Sequence, residues 1–376
     1  MSRSHDVAIV GLGAMGSAAA DHLARRGRRV IGFDRFAPPH TLGSSHGETR
    51  IIREAYFEHP AYVPLVQRAY EGWADLERDS GQSLWLKTGG LMLGPAEGAL
   101  VTGALASAHA HDLPYELLDA ASVRRRFPAF APDERWVGVW EPRAGALFPE
   151  ACVAAQLARA ARCGAELHTD EPALGWRAEG GGVEVTTAQG RYRAGHLVLA
   201  AGPWLAPLLE DLRLPLTVTR QPAFWFAPPV HRAAFEPGRF PVWICEDQPG
   251  RFTYGFPVLE DRIKLARHLE GERVDPDRVR RETDVPEEQQ VLVAARRFLP
   301  GLEGPARSRS VCLYTCTPDG HFIVDRHPAH PQVTVVSACT GHGFKFASAI
   351  GGVLADLVLE HDPGFDLSLF ALTRFA

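Results

Sequence analysis

VAIVGLGAMGSAAADHLARRGRRVIGFD (residues 7–34) is the stretch that decides the fold. Residues 6–10 form an apolar run that stops at glycine. Residues 14–25 are alanine-rich and helical in pattern. Residues 29–34 are a second apolar run that closes on an acid. The order strand, helix, strand is a βαβ opening. Gly11, Gly13 and Gly16 spell G-x-G-x-x-G: one glycine for the tight turn, one to let backbone approach a pyrophosphate, one for close helix–strand packing. The helix start beyond them offers free N–H groups and partial positive charge to phosphates. Asp34, at the end of the second strand, is placed to accept hydrogen bonds from ribose hydroxyls. Arg35 raises the question of a 2′-phosphate, which the Asp34 carboxylate would repel. A dinucleotide site is expected, and the fingerprint alone does not separate NAD from FAD.

The 376 residues suffice for two structural domains. With 45% hydrophobic and 23% charged residues the composition is that of a globular protein. A net charge of −5, without a basic stretch, argues against nucleic acid or an anionic membrane as partner. No apolar run nears membrane-spanning length, and residues 1–11 run into a strand without a leader-like segment. Six scattered cysteines do not form a disulfide framework, so a reduced, cytoplasmic protein is expected.

Working outward, residues 60–80, 149–163 and 276–299 read as helices. Strand candidates fall at 196–202, several times within 218–268, and at 333–339. Residues 85–148 are mixed, with strand-like GGLMLG and VGVWEP and one helical stretch. This alternation fits a discontinuous nucleotide domain with a β-rich insertion.

The far end carries a second signal in SVCLYTCTPDGHFIVDRHP (310–328) and TGHGFKFASAIGGVLADL (340–357). Gly341, Gly343 and the helix after them create another helix start, whose dipole favours negative charge on a bound ring. A reduced flavin carries such charge; an NAD site has no need of it. In a strand, Cys312, Tyr314 and Cys316 share a face, and the two thiols lie roughly 13 Å apart, too far for a disulfide. No second pair completes a zinc site, and no metal is expected. Two small buried cysteines are the ordinary reading. Arg50, Arg53 and Tyr56 fall at i, i+3 and i+6, spacing for one helical face or turn; Ile51, Ile52 and Ala55 between them weaken the ordinary reading of a solvated basic patch. Lys264 and His268 share a strand face, where an exposed edge-strand lysine is ordinary. His321, His327 and His330 read as surface residues.

The fingerprint, GSSHGETRIIREAY (43–56), RIKLARH (262–268), VCLYT (311–315) and TGHGFKF (340–346) together resemble the monomeric sarcosine oxidase and N-methyltryptophan oxidase family, amine oxidases of the D-amino-acid-oxidase-like flavoproteins. The likeness keeps the same order over nearly the whole chain. It implies an α/β fold: a Rossmann-type FAD-binding domain (1–85, 149–217 and 313–376) with an inserted β-rich substrate domain (86–148 and 218–312). It implies FAD attached through Cys312 at the flavin 8-methyl group, with no role for Cys316. Ser44, His46, Thr49 and Arg50 are then flavin neighbours, as are Gly341, Gly343, Phe344 and Lys345. Arg53 and Lys345 clamp a substrate carboxylate, with Tyr56, Ile244 and Gly341 nearby. Lys264 activates oxygen beside the flavin, and Tyr254, His268 and Tyr314 complete the pocket with Arg50 and His46. The implied reaction oxidises the secondary amine of an N-methyl amino acid and passes the electrons to oxygen, giving an imine and hydrogen peroxide, in a monomer. The alternatives are N-methyltryptophan, pipecolate or a glycated amino acid as substrate, or a dehydrogenase with another acceptor, against which Lys264 speaks. Arg53 with Lys345 speaks against a flavin-binding subunit without catalysis. Two departures stand out: Ser45 replaces a histidine, and Glu54 follows Arg53 where relatives carry histidine, an extra acid that would bear on substrate choice.

Overall fold

The computed structural model describes residues 5–375; of the expected domain limits, residues 1–4 and 376 lie outside them. The strand His5–Val10 lies parallel to Val30–Phe33 on one side and to Arg191–Leu199 on the other, within an eight-stranded sheet. His330–Ser337 joins parallel to the end of Arg191–Leu199. Three helices cover one face. The first, Ala14–Arg25, packs between Pro149–Arg162 and Ala347–Val358. Its alanines 18, 19 and 20 are fully buried. Polar ties fix the packing: Ser17 Oγ donates to Gln156 (2.9 Å), Arg159 to Asp21 (2.7 Å), and His22 meets the Ser348 carbonyl (3.0 Å). Gly16 stands where a Cβ would lie 1.7 Å from the Gly11 carbonyl oxygen, so no other residue lets the helix start so close to the first strand.

The second sheet also has eight strands, in the order Ser308–Cys316, Thr217–Phe226, Ile263–His268, Arg251–Gly255, Val242–Gln248, Gly90–Pro95, Trp136–Glu141 and Glu116–Asp119. The segments before and after the middle of the chain meet where Val242–Gln248 runs parallel to Gly90–Pro95. Ser308–Cys316 crosses the expected 312/313 boundary and pairs along its whole length with Thr217–Phe226.

Three expectations are corrected. Arg50 and Arg53 share no helical face: Arg50–Ile52 is a short strand paired with Gly145–Leu147, and residues 53–58 follow it without regular structure. The helix expected over 276–299 is Val285–Arg296 only. Its start is fixed by a capping box, in which Glu287 N–H donates to Asp284 (3.0 Å) and Asp284 N–H donates to Glu287 (2.9 Å). His327 is not a surface residue but is buried against Asp211 (2.9 Å). Among the described residues no helix is long and apolar enough to cross a membrane, and the six cysteines are unpaired.

Candidate active site

A cavity of about 530 Å³ runs from the glycine fingerprint to the inner face of the second sheet. Gly11, Gly13, Asp34, Arg35 and Ser44 line its first end. The Asp34 carboxylate accepts from Leu12 N–H (2.7 Å) and Phe36 N–H (2.9 Å), which leaves lone pairs on both oxygens for a ribose. Arg35 pairs with Asp277 (2.9 Å) and lies over the Trp204 ring. Ser45, in place of the expected histidine, accepts from Ala14 N–H (3.1 Å) at the helix start. Two wall hydroxyls, Ser44 Oγ and Ser337 Oγ, are buried without a partner. A glycine turn, a helix start, an acid at the strand end and unpartnered hydroxyls are the donor and acceptor set that FAD needs, and the cleft fits that group.

Midway, five polar residues converge at and behind the wall. Cys312 Sγ accepts from Arg50 (3.4 Å) and lies 3.9 Å from His46 Nδ1. Lys264 Nζ donates to the carbonyls of Gly47 (2.5 Å) and Thr49 (3.0 Å) and to Thr49 Oγ1 (3.2 Å). Lys264 is buried on an interior strand rather than exposed on an edge. Burial alone would push the Cys312 thiol up, but Arg50, His46 and Lys264 outweigh it and bring it down from 9.0 to about 6. Burial, and then Arg50, lower Lys264 to about 7. Of this cluster Arg50 lines the cavity; Cys312, His46, Thr49 and Lys264 stand behind it. Cys316, at the end of the same strand, has its thiol pushed up to about 12 by burial.

At the second end, Arg53, Lys345, Ile244, Tyr254, His268, Tyr314, Gly341, Gly343 and Phe344 all line the cavity. Arg53 is buried and already paired: it donates to both oxygens of Glu58 (2.7 and 3.0 Å). Glu58 also lines the cavity. Burial would raise its carboxyl, yet Arg53 beside it holds it at about 2. Lys345 Nζ donates to the His342 carbonyl (2.7 Å), and burial followed by Arg53 brings it down to about 7. Tyr56 is not a wall residue. Its hydroxyl meets His342 Nδ1 (2.5 Å), and its ring is the floor under Arg53 and Lys345. His342 Nε2 faces the Gly320 carbonyl (3.1 Å), so it donates there and Nδ1 accepts from Tyr56. Burial keeps His268 neutral at pH 7, its value near 4. A Cβ on Gly341, at φ +76°, would lie 2.5 Å from the Tyr314 ring and 2.7 Å from the His268 ring. The Glu54 side chain turns away to Arg143 (2.8 Å) and does not line the cavity, so it adds no charge to the pocket wall.

Glu58 and His342 are site residues that the sequence reading passed over. For His342 a signal was present, a histidine between two glycines beside Lys345; for Glu58 there was none, since its role comes from the buried guanidinium of Arg53 folded against it.

The DAO family, FAD dependent oxidoreductase, matches residues 6–357. A monomeric sarcosine oxidase of Streptomyces avermitilis is 43% identical over 380 residues, spanning 100% of this chain and 99% of its own. An N-methyl-L-tryptophan oxidase of Yersinia pestis is 35% identical over 376 residues, spanning 99% of each. The solved structure of NikD, an unusual amino acid oxidase essential for nikkomycin biosynthesis, superposes with a TM-score of 0.86 at 26% identity, over 98% of both chains.

Proposed function

The chain belongs to the DAO family of FAD-dependent oxidoreductases, and from that premise we propose that it oxidises the secondary amine of a small N-methyl amino acid with oxygen as acceptor. The observation that carries this reading is the pair of buried cations, Arg53 and Lys345, beside the neutral wall of Ile244, Tyr254 and His268 at the inner end of a dinucleotide cleft. An arginine fork and a lysine point charge suit one carboxylate. FAD supplies the two-electron redox chemistry when bound. The protein's own part is to orient and to set charge. Arg53 and Lys345 hold the carboxylate, and the apolar wall shields the carbon and nitrogen from water. The Arg53 charge is offset by the ionised Glu58, so it is Arg50 and protonated Lys345 that disfavour an ammonium and favour the free amine. Lys345, near 7, is half protonated at neutral pH. Lys264 supplies the positive charge for the oxygen step.

Cys312 is the proposed point of covalent attachment, supported by a thiol that is mostly thiolate at neutral pH. Division into an FAD-binding part and a substrate part is supported by the two large sheets. The unpaired cysteines favour a reducing, cytoplasmic compartment, and the protein is read as a monomer by likeness to the monomeric sarcosine oxidase of Streptomyces avermitilis. A peroxide-coupled screen of N-methyl, cyclic and glycated amino acids tests the reading. Turnover of sarcosine-like substrates is expected. Turnover confined to N-methyltryptophan, pipecolate or glycated substrates would replace the substrate, and reduction without peroxide would replace the acceptor.

A further inference from the structure

Arg53, Tyr56 and Glu58 sit on a segment without regular structure, so something outside it must fix its backbone. That something is Glu141, the last residue of the strand Trp136–Glu141, opposite Gly90 in the second sheet. Glu141 is 1% exposed. Its Oε1 accepts from Glu54 N–H (2.7 Å) and its Oε2 from Ala55 N–H (2.8 Å). Ala55 in turn offers its carbonyl to Arg53 Nη1 (2.8 Å). The guanidinium is therefore steered by the carbonyl of Ala55, a residue whose own N–H, with that of Glu54 before it, is held by the Glu141 carboxylate.

We propose that Glu141 is a positioning residue for Arg53: its two-pronged seat on the 54–55 backbone sets the angle at which the guanidinium meets a substrate carboxylate. This goes beyond the proposed function and rests on its assignment of Arg53 to the carboxylate. The charged and titratable groups around Glu141 are Arg53, the Glu54–Arg143 pair, and Tyr70, whose ring lies under Arg143. Glu141 spends both oxygens on backbone N–H groups. Burial pushes its carboxyl up to about 7 against the pull of those two N–H groups, the position of an acid kept in place for geometry rather than for a salt bridge.

The replacement Glu141→Gln tests this, because a carboxamide keeps the shape but offers one oxygen and turns its NH2 toward the second N–H. In the FAD-loaded protein, the dissociation constant of acetate is read from the flavin absorbance change. KM and kcat are read for an N-methyl amino acid and for an N-methyl amine without a carboxylate. The expected result is about a tenfold weaker acetate affinity and a similar rise in KM for the amino acid, the worth of one charged hydrogen bond. The kcat of the amino acid and both constants of the plain amine should stay within about twofold, less than the weakest such bond would move. Because Glu141 acts through Arg53, the double replacement with Arg53→Met should bind acetate no worse than Arg53→Met alone. Equal losses for both substrate types, or additive losses in the double variant, overturn the inference. If Arg53→Met itself leaves acetate affinity unchanged, the carboxylate clamp fails rather than the positioning role. Should Glu141→Gln not load FAD, the same cycle is run with Glu141→Asp, which keeps the charge and both oxygens.

Discussion

Replacing Arg50 with methionine removes the nearest positive charge from the Cys312 sulfur, 3.4 Å away, without touching the thiol. In the native site the thiol lies at about 6 instead of 9.0, although burial works the other way. That difference corresponds to about 4 kcal/mol in favour of the thiolate. At pH 7 roughly 90% of Cys312 is thiolate; without Arg50, the largest of the lowering charges, that fraction falls toward the about 1% of an unshifted thiol, with His46 and Lys264 still acting against the fall. Because the thiolate is the nucleophile, covalent incorporation of FAD into Arg50→Met apoprotein should be slower at pH 7, by up to about 100-fold. The pH dependence has a definite sign. A lowered thiol is deprotonated above its value, so the native rate should rise through about pH 6 and level off before pH 8, while the variant rate should keep rising beyond pH 8. The assay is acid precipitation at timed intervals after mixing apoprotein with FAD, with flavin measured in pellet and supernatant. Incorporation by Arg50→Met at the native rate with the native pH profile would refute the electrostatic argument. Complete release of flavin from the native protein would refute the linkage itself.

Lys264→Met should slow aerobic reoxidation by about 100-fold while leaving anaerobic reduction within a few fold, because the charge serves the step in which negative charge develops on oxygen; equal slowing of both in stopped-flow traces would assign Lys264 a structural role. Since Lys264 is charged below about pH 7, native reoxidation should also fall as pH rises through that value, and a flat profile counts against it. Arg53→Met should raise KM for amino-acid substrates by about 10- to 150-fold and barely affect amines without a carboxylate; equal effects on both would make Arg53 a pocket-shaping residue. Gly341→Ala should cut kcat/KM by about tenfold or more with FAD retained, since a side chain at that φ costs about 1–3 kcal/mol before it displaces Tyr314 and His268; unchanged kcat/KM would show that the rings yield freely.

The nucleotide half was legible because its signals are local. Glycine spacing, an alanine-rich helix and an acid at the strand end all sit within one βαβ unit, and Ala14–Arg25 appears where the periodicity predicts it. The helix near 285 was blurred because residues 276–284 continue a plausible pattern, and only the Asp284–Glu287 capping box marks the true start. Arg50 and Arg53 deceived in a different way. Their spacing suits a helix, but strand pairing with Gly145–Leu147 overrides it. Glu58 and Glu141 were illegible as site residues because an acid's meaning there comes from what is folded against it. Glu58 gains its role from a buried guanidinium, and Glu141 from two backbone N–H groups contributed by residues far away in sequence.

The three-helix layer also bears on how the protein is made. Helix Ala14–Arg25, which leaves the ribosome before both of its partners, is packed on one side by Pro149–Arg162 and on the other by Ala347–Val358. The layer that backs the fingerprint is therefore incomplete until residues 347–358 have been synthesised, and before then one side of the helix lacks its native partner. Contacts of such long sequence separation form slowly, and exposed apolar faces in waiting chains invite aggregation. Completion of the layer behind the FAD cleft accordingly waits on residues 347–358. Expression at lower temperature with riboflavin supplied should raise the yield of loaded enzyme by giving a late-closing layer time to find its cofactor.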